Sequence, residues 1–250
     1  MKQLATMIAV LVLAAGGLFA EGTTESDSFT MDGVDSITVR AGMLDVQVIG
    51  SDTWEVRMKA EIPPGFLFSS PGYRVVHERR GSRLSVWVQS DSPFGDTGEG
   101  KLFFEVPRDV VIQVQTMSGS ILVEGMKNQS CTLSAVSGSI TVRDTRSRLS
   151  LDNVSGSLVL ESTKGSLRAK TVSGSIDGRQ LLLTGNSSFN SVSGSVNVRL
   201  DAPLDDFRFD LSTASGRVVV GTIRAEKGLH LGIGDVLIQA RTVSGSLIFR

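Results

Sequence analysis

One cysteine, one tyrosine, two tryptophans and two histidines in 250 residues leave this chain poor in the side chains that carry most redox, metal and stacking chemistry. Cys131 has no partner for an intramolecular disulfide. His77 and His230 are far apart, and neither stands at a spacing from other ligands that would hold zinc. So few aromatics cannot supply the interfacial girdles of a membrane barrel, whose strands would also need about ten residues each. Charge of either sign is not in excess: the net value is −1, which argues against nucleic acid as a partner. There is no nucleophile elbow, P-loop or dinucleotide fingerprint. No catalytic, cofactor-binding or metal-binding residue is therefore assigned, and no cofactor is expected.

Glycine and serine are plentiful, and they are organised. Glycine recurs within a short phrase, Thr/Val-Ser-Gly-Ser-aliphatic, at Gly119, Gly138, Gly156, Gly174, Gly194, Gly216 and Gly245. Most gaps between copies are about 18–22 residues, enough for two short strands and two corners, which is one rung of a β-solenoid. Aligned on the glycine, the columns at positions −7, −5, +2 and +4 are mostly aliphatic; the +2 column reads Ile121, Ile140, Leu158, Ile176, Val196, Val218 and Leu247. The −2 column is apolar too, with Met117, Val136, Val154, Val172, Val192, Ala214 and Val243. Alternation with period two holds on each side of the phrase and changes parity between −3 and −2, so the chain turns there. This reading puts the −2 column in the core. The glycines are structural corners, needed for positive φ or for close approach of neighbouring backbones. The serine before each one is a small corner residue, and a hydroxyl-lined edge for sugars or ice is the functional alternative.

Residues 30–110 carry the same strand grammar without the phrase and read as degenerate first rungs. Residues 73–77 and 84–88 flank a polar Arg80-Gly81-Ser82-Arg83 linker, which predicts a hairpin. The basic cluster Arg74, His77, Arg79, Arg80 and Arg83 around it reads as a solvated surface. Pro63-Pro64-Gly65 and residues 91–100 read as loops. At the amino end Lys2 precedes an uncharged run over 4–19 and Ala20, the pattern of a secretory signal peptide. The expected organisation is a signal peptide at 1–20, a disordered linker at 21–29 and one solenoid domain at 30–250, with no membrane span after cleavage.

Two inserts, at 199–208 and 221–237, lengthen one corner; they are candidates for partner contact or for capping. Cys131 falls in an inward column and reads as buried filler. Acids such as Asp177, Asp201, Asp205, Asp206 and Asp235 are assigned to corners or inserts, where turn chemistry explains them. The Asp205-Asp206 pair and the acidic loop with Asp91, Asp96 and Glu99 are the candidates for calcium, yet neither follows a recognised loop spacing. A glycan-active β-helix enzyme would need carboxylates on outward strand positions that are mostly Ser, Thr, Asn, Gln and Arg.

The opening Val34-Asp35-Ser36-Ile37-Thr38-Val39, the Phe103-Phe104-Glu105-Val106-Pro107 strand and the run of Val-Ser-Gly-Ser-Ile copies together resemble the bacterial putative-adhesin family of β-strand-repeat proteins over roughly residues 30–250. The resemblance implies an envelope or secreted β-solenoid and supplies no catalytic residue. The expectation is a flattened parallel β-solenoid, right-handed by the preference of parallel crossovers. It would be exported to the periplasm, cell surface or medium, and would bind a cell-surface or envelope polymer or protein without catalysis. The alternative is an envelope-stress or signalling accessory that binds another exported protein.

Overall fold

A computed structural model describes residues 23–25, 27–61, 73–90 and 100–250. The signal segment, the Pro63-Pro64-Gly65 loop and nearly all of the 91–100 loop lie outside the described residues.

The period-two columns become strands, stacked in register. The amino-terminal part contributes β1 (Thr23–Glu25), β2 (Ser28–Asp32), β3 (Ser36–Arg40), β4 (Asp45–Ser51), β5 (Glu55–Glu61), β6 (Tyr73–Arg80), β7 (Arg83–Ser90) and β8 (Lys101–Pro107). The repeated part runs through β9 (Val111–Thr116), β10 (Ile121–Glu124), β11 (Lys127–Ser137), β12 (Ile140–Arg143), β13 (Arg146–Ser155), β14 (Leu158–Glu161), β15 (Lys164–Gly165), β16 (Leu167–Ser173), β17 (Ile176–Leu183), β18 (Ser187–Ser193) and β19 (Val196–Leu200). The chain finishes with β20 (Phe207–Val220), β21 (Ile223–Leu231), β22 (Val236–Ser244) and β23 (Leu247–Phe249). Strands before each glycine form one side of a flattened parallel β-solenoid and strands after it form the other. Thus Ile121 pairs with Ile140, Ile140 with Leu158, and Leu158 with Ile176. Such steps are about 4.8 Å apart.

The rungs do not stack in chain order at either end, which corrects the expected succession of copies. Near the amino end β3 lies between β7 and β9, while β4 lies between β8 and β10. At the far end β22 lies between β18 and β20, and β23 between β19 and β20. The last copy, with Gly245, therefore slots inside the copy with Gly216. Phe249 records this order: its ring lies 5.7 Å from Phe189 on one side and 5.6 Å from Phe209 on the other.

Residues 30–110 are only partly rungs. β3–β4 and β7–β8 are, whereas β5 and β6 pair antiparallel with β8 and β7 and cap the coil. The hairpin read at 73–88 is present as β6 and β7, joined by Gly81 and Ser82. The expected linker at 21–29 is corrected where β1 pairs with β6 and β2 with β5: open edges at the cap accept further strands. The insert at 221–237 contains β21, which pairs antiparallel with β20 before and after the Gly216 corner. One strand thus covers both sides of the coil's carboxy-terminal end.

A single hydrophobic core runs the length of the coil, and the inward columns fill it. Val114, Leu133, Leu151, Ala169, Phe189, Ala240 and Leu211 are all buried. Gly178 is the gap in the +4 column, and Leu181 fills the space a Cβ would take. At the edge opposite the glycines, Asp144, Ser162 and Gln180 adopt left-handed φ values of 45°, 50° and 54°. There the short β15 starts a third, narrow face by pairing with Arg146 and Leu182.

Candidate functional site

The corner built on the repeated phrase is the most regular feature of the surface. Its glycine is dictated by the neighbouring rung. A Cβ on Gly156 would lie inside contact distance of the Gly138 carbonyl oxygen, and φ there is 130°. The same close approach to the next backbone recurs at the other six corner glycines; Gly119 meets Leu44 instead of a glycine. Most corner N–H groups continue the ladder, as Gly156 donates to Ser173 O and Gly194 to Ser244 O; the Gly119 N–H instead donates to Thr116 Oγ1.

The −2 column, expected in the core, faces solvent, and the last inward position before the glycine is −3. Position −3 points inward: Thr116, Asn153, Thr171, Ser191, Thr213 and Thr242 are all buried. Five of these six polar side chains reach the corner carbonyls of the neighbouring rung, whereas the Thr171 hydroxyl is buried without a hydrogen-bond partner. Thr116 Oγ1 donates to Gly42 O at 2.9 Å, Asn153 Nδ2 to Gly138 O at 2.8 Å, and Ser191 Oγ to Gly174 O at 3.1 Å. Thr213 donates to Gly245 O and Thr242 to Gly194 O, again following the spatial order of the rungs. A strand that keeps its alternation to −3 must present −2 to solvent, so the chain turns one step later than expected. Met117, Val136, Val154, Val172, Val192 and Val243 are 41–61% exposed. They form one aliphatic row at steps of about 4.8 Å, next to the exposed row of corner serines at −1.

The other singled-out residues do not converge. Cys131 is fully buried, and desolvation pushes its thiol up to about 12. Within the basic cluster, His77 is corrected from surface to interior. It packs 4.4 Å from the Phe29 ring, and burial holds its pKa below the usual 6.5. His230 is at the other end of the coil, 3.2 Å from Asp210. Asp177 sits on the outward face of β17, not at a corner, and its carboxylate accepts from Asn197 Nδ2 at 3.2 Å. Among the described residues, no three His, Cys, Asp or Glu are grouped to hold a metal ion. Likewise no helix there is long and apolar enough to cross a membrane.

Residues 109–231 match the Toastrack DUF4097 family. The matched segment holds six of the seven phrases, and the family it matches is a domain of unknown function. This match covers less of the chain than the span of the resemblance, roughly 30–250. No curated protein matches the sequence. Similar solved structures include a putative cell adhesion protein from Clostridium sporogenes, 8% identical with a TM-score of 0.36, covering 91% of this chain and 99% of that one. A putative lipid binding protein from Parabacteroides distasonis is 14% identical with a TM-score of 0.47, covering 91% and 96%. A putative adhesin from Bacteroides fragilis is 7% identical with a TM-score of 0.44, covering 92% and 98%. Beyond the matched segment lies the rung of β22 and β23, which inserts back into it.

Proposed function

We propose that the protein is an exported, non-catalytic binding or scaffolding module of the cell envelope that uses the phrase-bearing edge as its contact surface. The observation that carries this reading is the solvent-facing aliphatic row from Met117 to Val243. An edge that repeats valine at −2 while the inward positions are already filled spends apolar side chains where folding does not need them. A rigid coil holding them at a constant step suits many weak contacts with an extended polymer or a protein surface. Export is supported by Lys2 and the uncharged run over 4–19.

The test is protease treatment of intact and gently lysed producing cells, followed with an antibody to the 221–237 insert. Cleavage on intact cells places the coil at the surface and favours adhesion. Protection until lysis confines it to the periplasm and turns the search to envelope partners; recovery in the cytosol with residues 1–20 retained overturns export. Replacing Val136, Val154, Val172 and Val192 together with serine should leave the fold intact and release the protein from the washed envelope. Equal retention of that variant would remove the aliphatic edge as the contact surface.

A further inference from the structure

The outward +5 column on the second side of the coil reads, in spatial order, Glu124, Arg143, Glu161, Arg179, Arg199 and Arg250. Its first four members alternate in sign and lie side by side in register. Glu161 accepts from Arg143 Nε at 3.0 Å and lies 3.5 Å from Arg179 Nη1. Alternation is what a parallel ladder favours, because like charges directly opposite one another are destabilising. At Arg179 the alternation stops. Gly178 pairs with Val198 and Leu181 with Leu200, so Arg179 and Gln180 bulge together against Arg199. The Arg250 N–H donates to Val198 O and its carbonyl accepts from Leu200 N, which sets Arg250 opposite Arg199 on the other side. Three arginines therefore stand on adjacent strands, whose backbones are about 4.8 Å apart. Arg199 and Arg250 make no side-chain hydrogen bond or ion pair among the described residues, and both are exposed.

This stretch of the column lines a cleft of about 1060 Å³ over β17, β19 and β23. Asp177 and Asp201 also line it, so the cleft is not uniformly positive. Glu161 is matched by the arginines on either side of it, whereas Asp177 accepts from the neutral amide of Asn197 and, like Asp201, keeps its charge. Arg199 and Arg250 have no acid beside them in their own column, and among the described residues neither Asp177 nor Asp201 forms an ion pair with them.

We propose that this cleft is an oxyanion-binding site, in which Arg199 and Arg250, with Arg179 at the side, clamp a carboxylate or phosphate group. Guanidinium forks suit such groups because their donors match two oxygens at once. The source of the oxyanion is either a free small anion or an acidic polysaccharide carrying carboxylates on successive sugars; the open cleft admits both. The site lies on the second side of the coil and does not depend on the aliphatic edge.

The experiment measures binding of inorganic phosphate and, separately, of polygalacturonate to the full chain at low and moderate salt. Arg199→Gln and Arg143→Gln are compared with the parent. Arg143 belongs to the same column but is already matched by Glu161, so it controls for general electrostatics. Arg199→Gln should weaken binding about tenfold or more, and Arg143→Gln much less. Its melting temperature should stay level or rise, since a like-charge contact is removed. Phosphate binding with this pattern identifies a small-anion site; polygalacturonate binding alone, with this pattern, identifies an acidic glycan. Binding of neither probe, or equal weakening by the two variants, overturns the proposal.

Discussion

A single added carbon at Gly156 separates a corner that tolerates change from one that does not. Gly156→Ala would push a methyl group against the Gly138 carbonyl at a φ of 130°, a conformation that side chains avoid. Neither rung can move without breaking its own ladder, so the expected loss is about 2 kcal/mol or more, read from urea unfolding. Two residues before the next phrase's glycine, Val172→Ser should cost no more than about 0.5 kcal/mol, because that side chain is already 41% exposed. A large loss for Val172→Ser would return the −2 column to the core, where its composition alone had suggested it belonged. Composition misleads here because valine at −2 and threonine or serine at −3 invert the usual rule. The buried hydroxyls of Thr116, Ser191, Thr213 and Thr242 are matched by backbone carbonyls, and only the stacked geometry reveals those partners. His77 offers a second residue-scale test. Burial lowers its folded pKa below 6.5, and Nδ1 has no hydrogen-bond partner. Above pH 6.5 both folded and unfolded chains hold it neutral, so it adds no pH dependence. As pH falls through 6.5 the unfolded chain takes up a proton that the folded one resists, and stability falls. Between pH 7 and 5 the urea midpoint of the parent should therefore drop more than that of His77→Phe; parallel profiles would mean that the imidazole is solvated.

At the scale of elements, the strands facing the core were readable because they alternate cleanly, and the β6–β7 hairpin was readable from Arg80-Gly81-Ser82-Arg83. β21 was not. Arg224, Glu226, Lys227 and His230 break its apolar pattern into Ala225, Leu229 and Leu231, which are only partly buried. Those charges belong to its position as the outermost strand. Its free edge would otherwise be a template for another chain, and charged side chains are a common protection. Lys227, at a φ of 68°, lets the strand follow β20 around the Gly216 corner between its two paired stretches. Replacing Arg224 and Glu226 with valine should leave the far-UV spectrum unchanged while producing a concentration-dependent rise in mass by light scattering. A variant that stays at the parent's mass at every concentration would show that the edge is shielded by shape, not by charge.

For the whole molecule, what escaped the sequence is the order of the rungs. Columns aligned on the glycines are indifferent to which copy lies beside which. Val196 pairs with Leu247 across 51 positions, skipping the 207–220 copy, yet Val218 fits the same column equally well. The choice rests on the linkers and on the aromatic stack, in which Phe249 separates Phe189 from Phe209. In a coil stacked in chain order, removing the last copy would shorten the end and leave the rest standing, because each repeat depends only on its neighbours. Here the last copy is an interior rung. Deleting residues 236–250 should strip β20 of its inner neighbours and leave β21 paired only to an unsupported β20, so hydrogen exchange should lose protection over 207–231 while 127–173 remains protected. Deletion also opens the β18 and β19 edges, so fraying should reach 187–200 next. Protection retained over 207–220 would mean instead that β20 closes onto β18 by meeting Gly194 with Thr213, and that the sequence permits two rung orders of comparable stability.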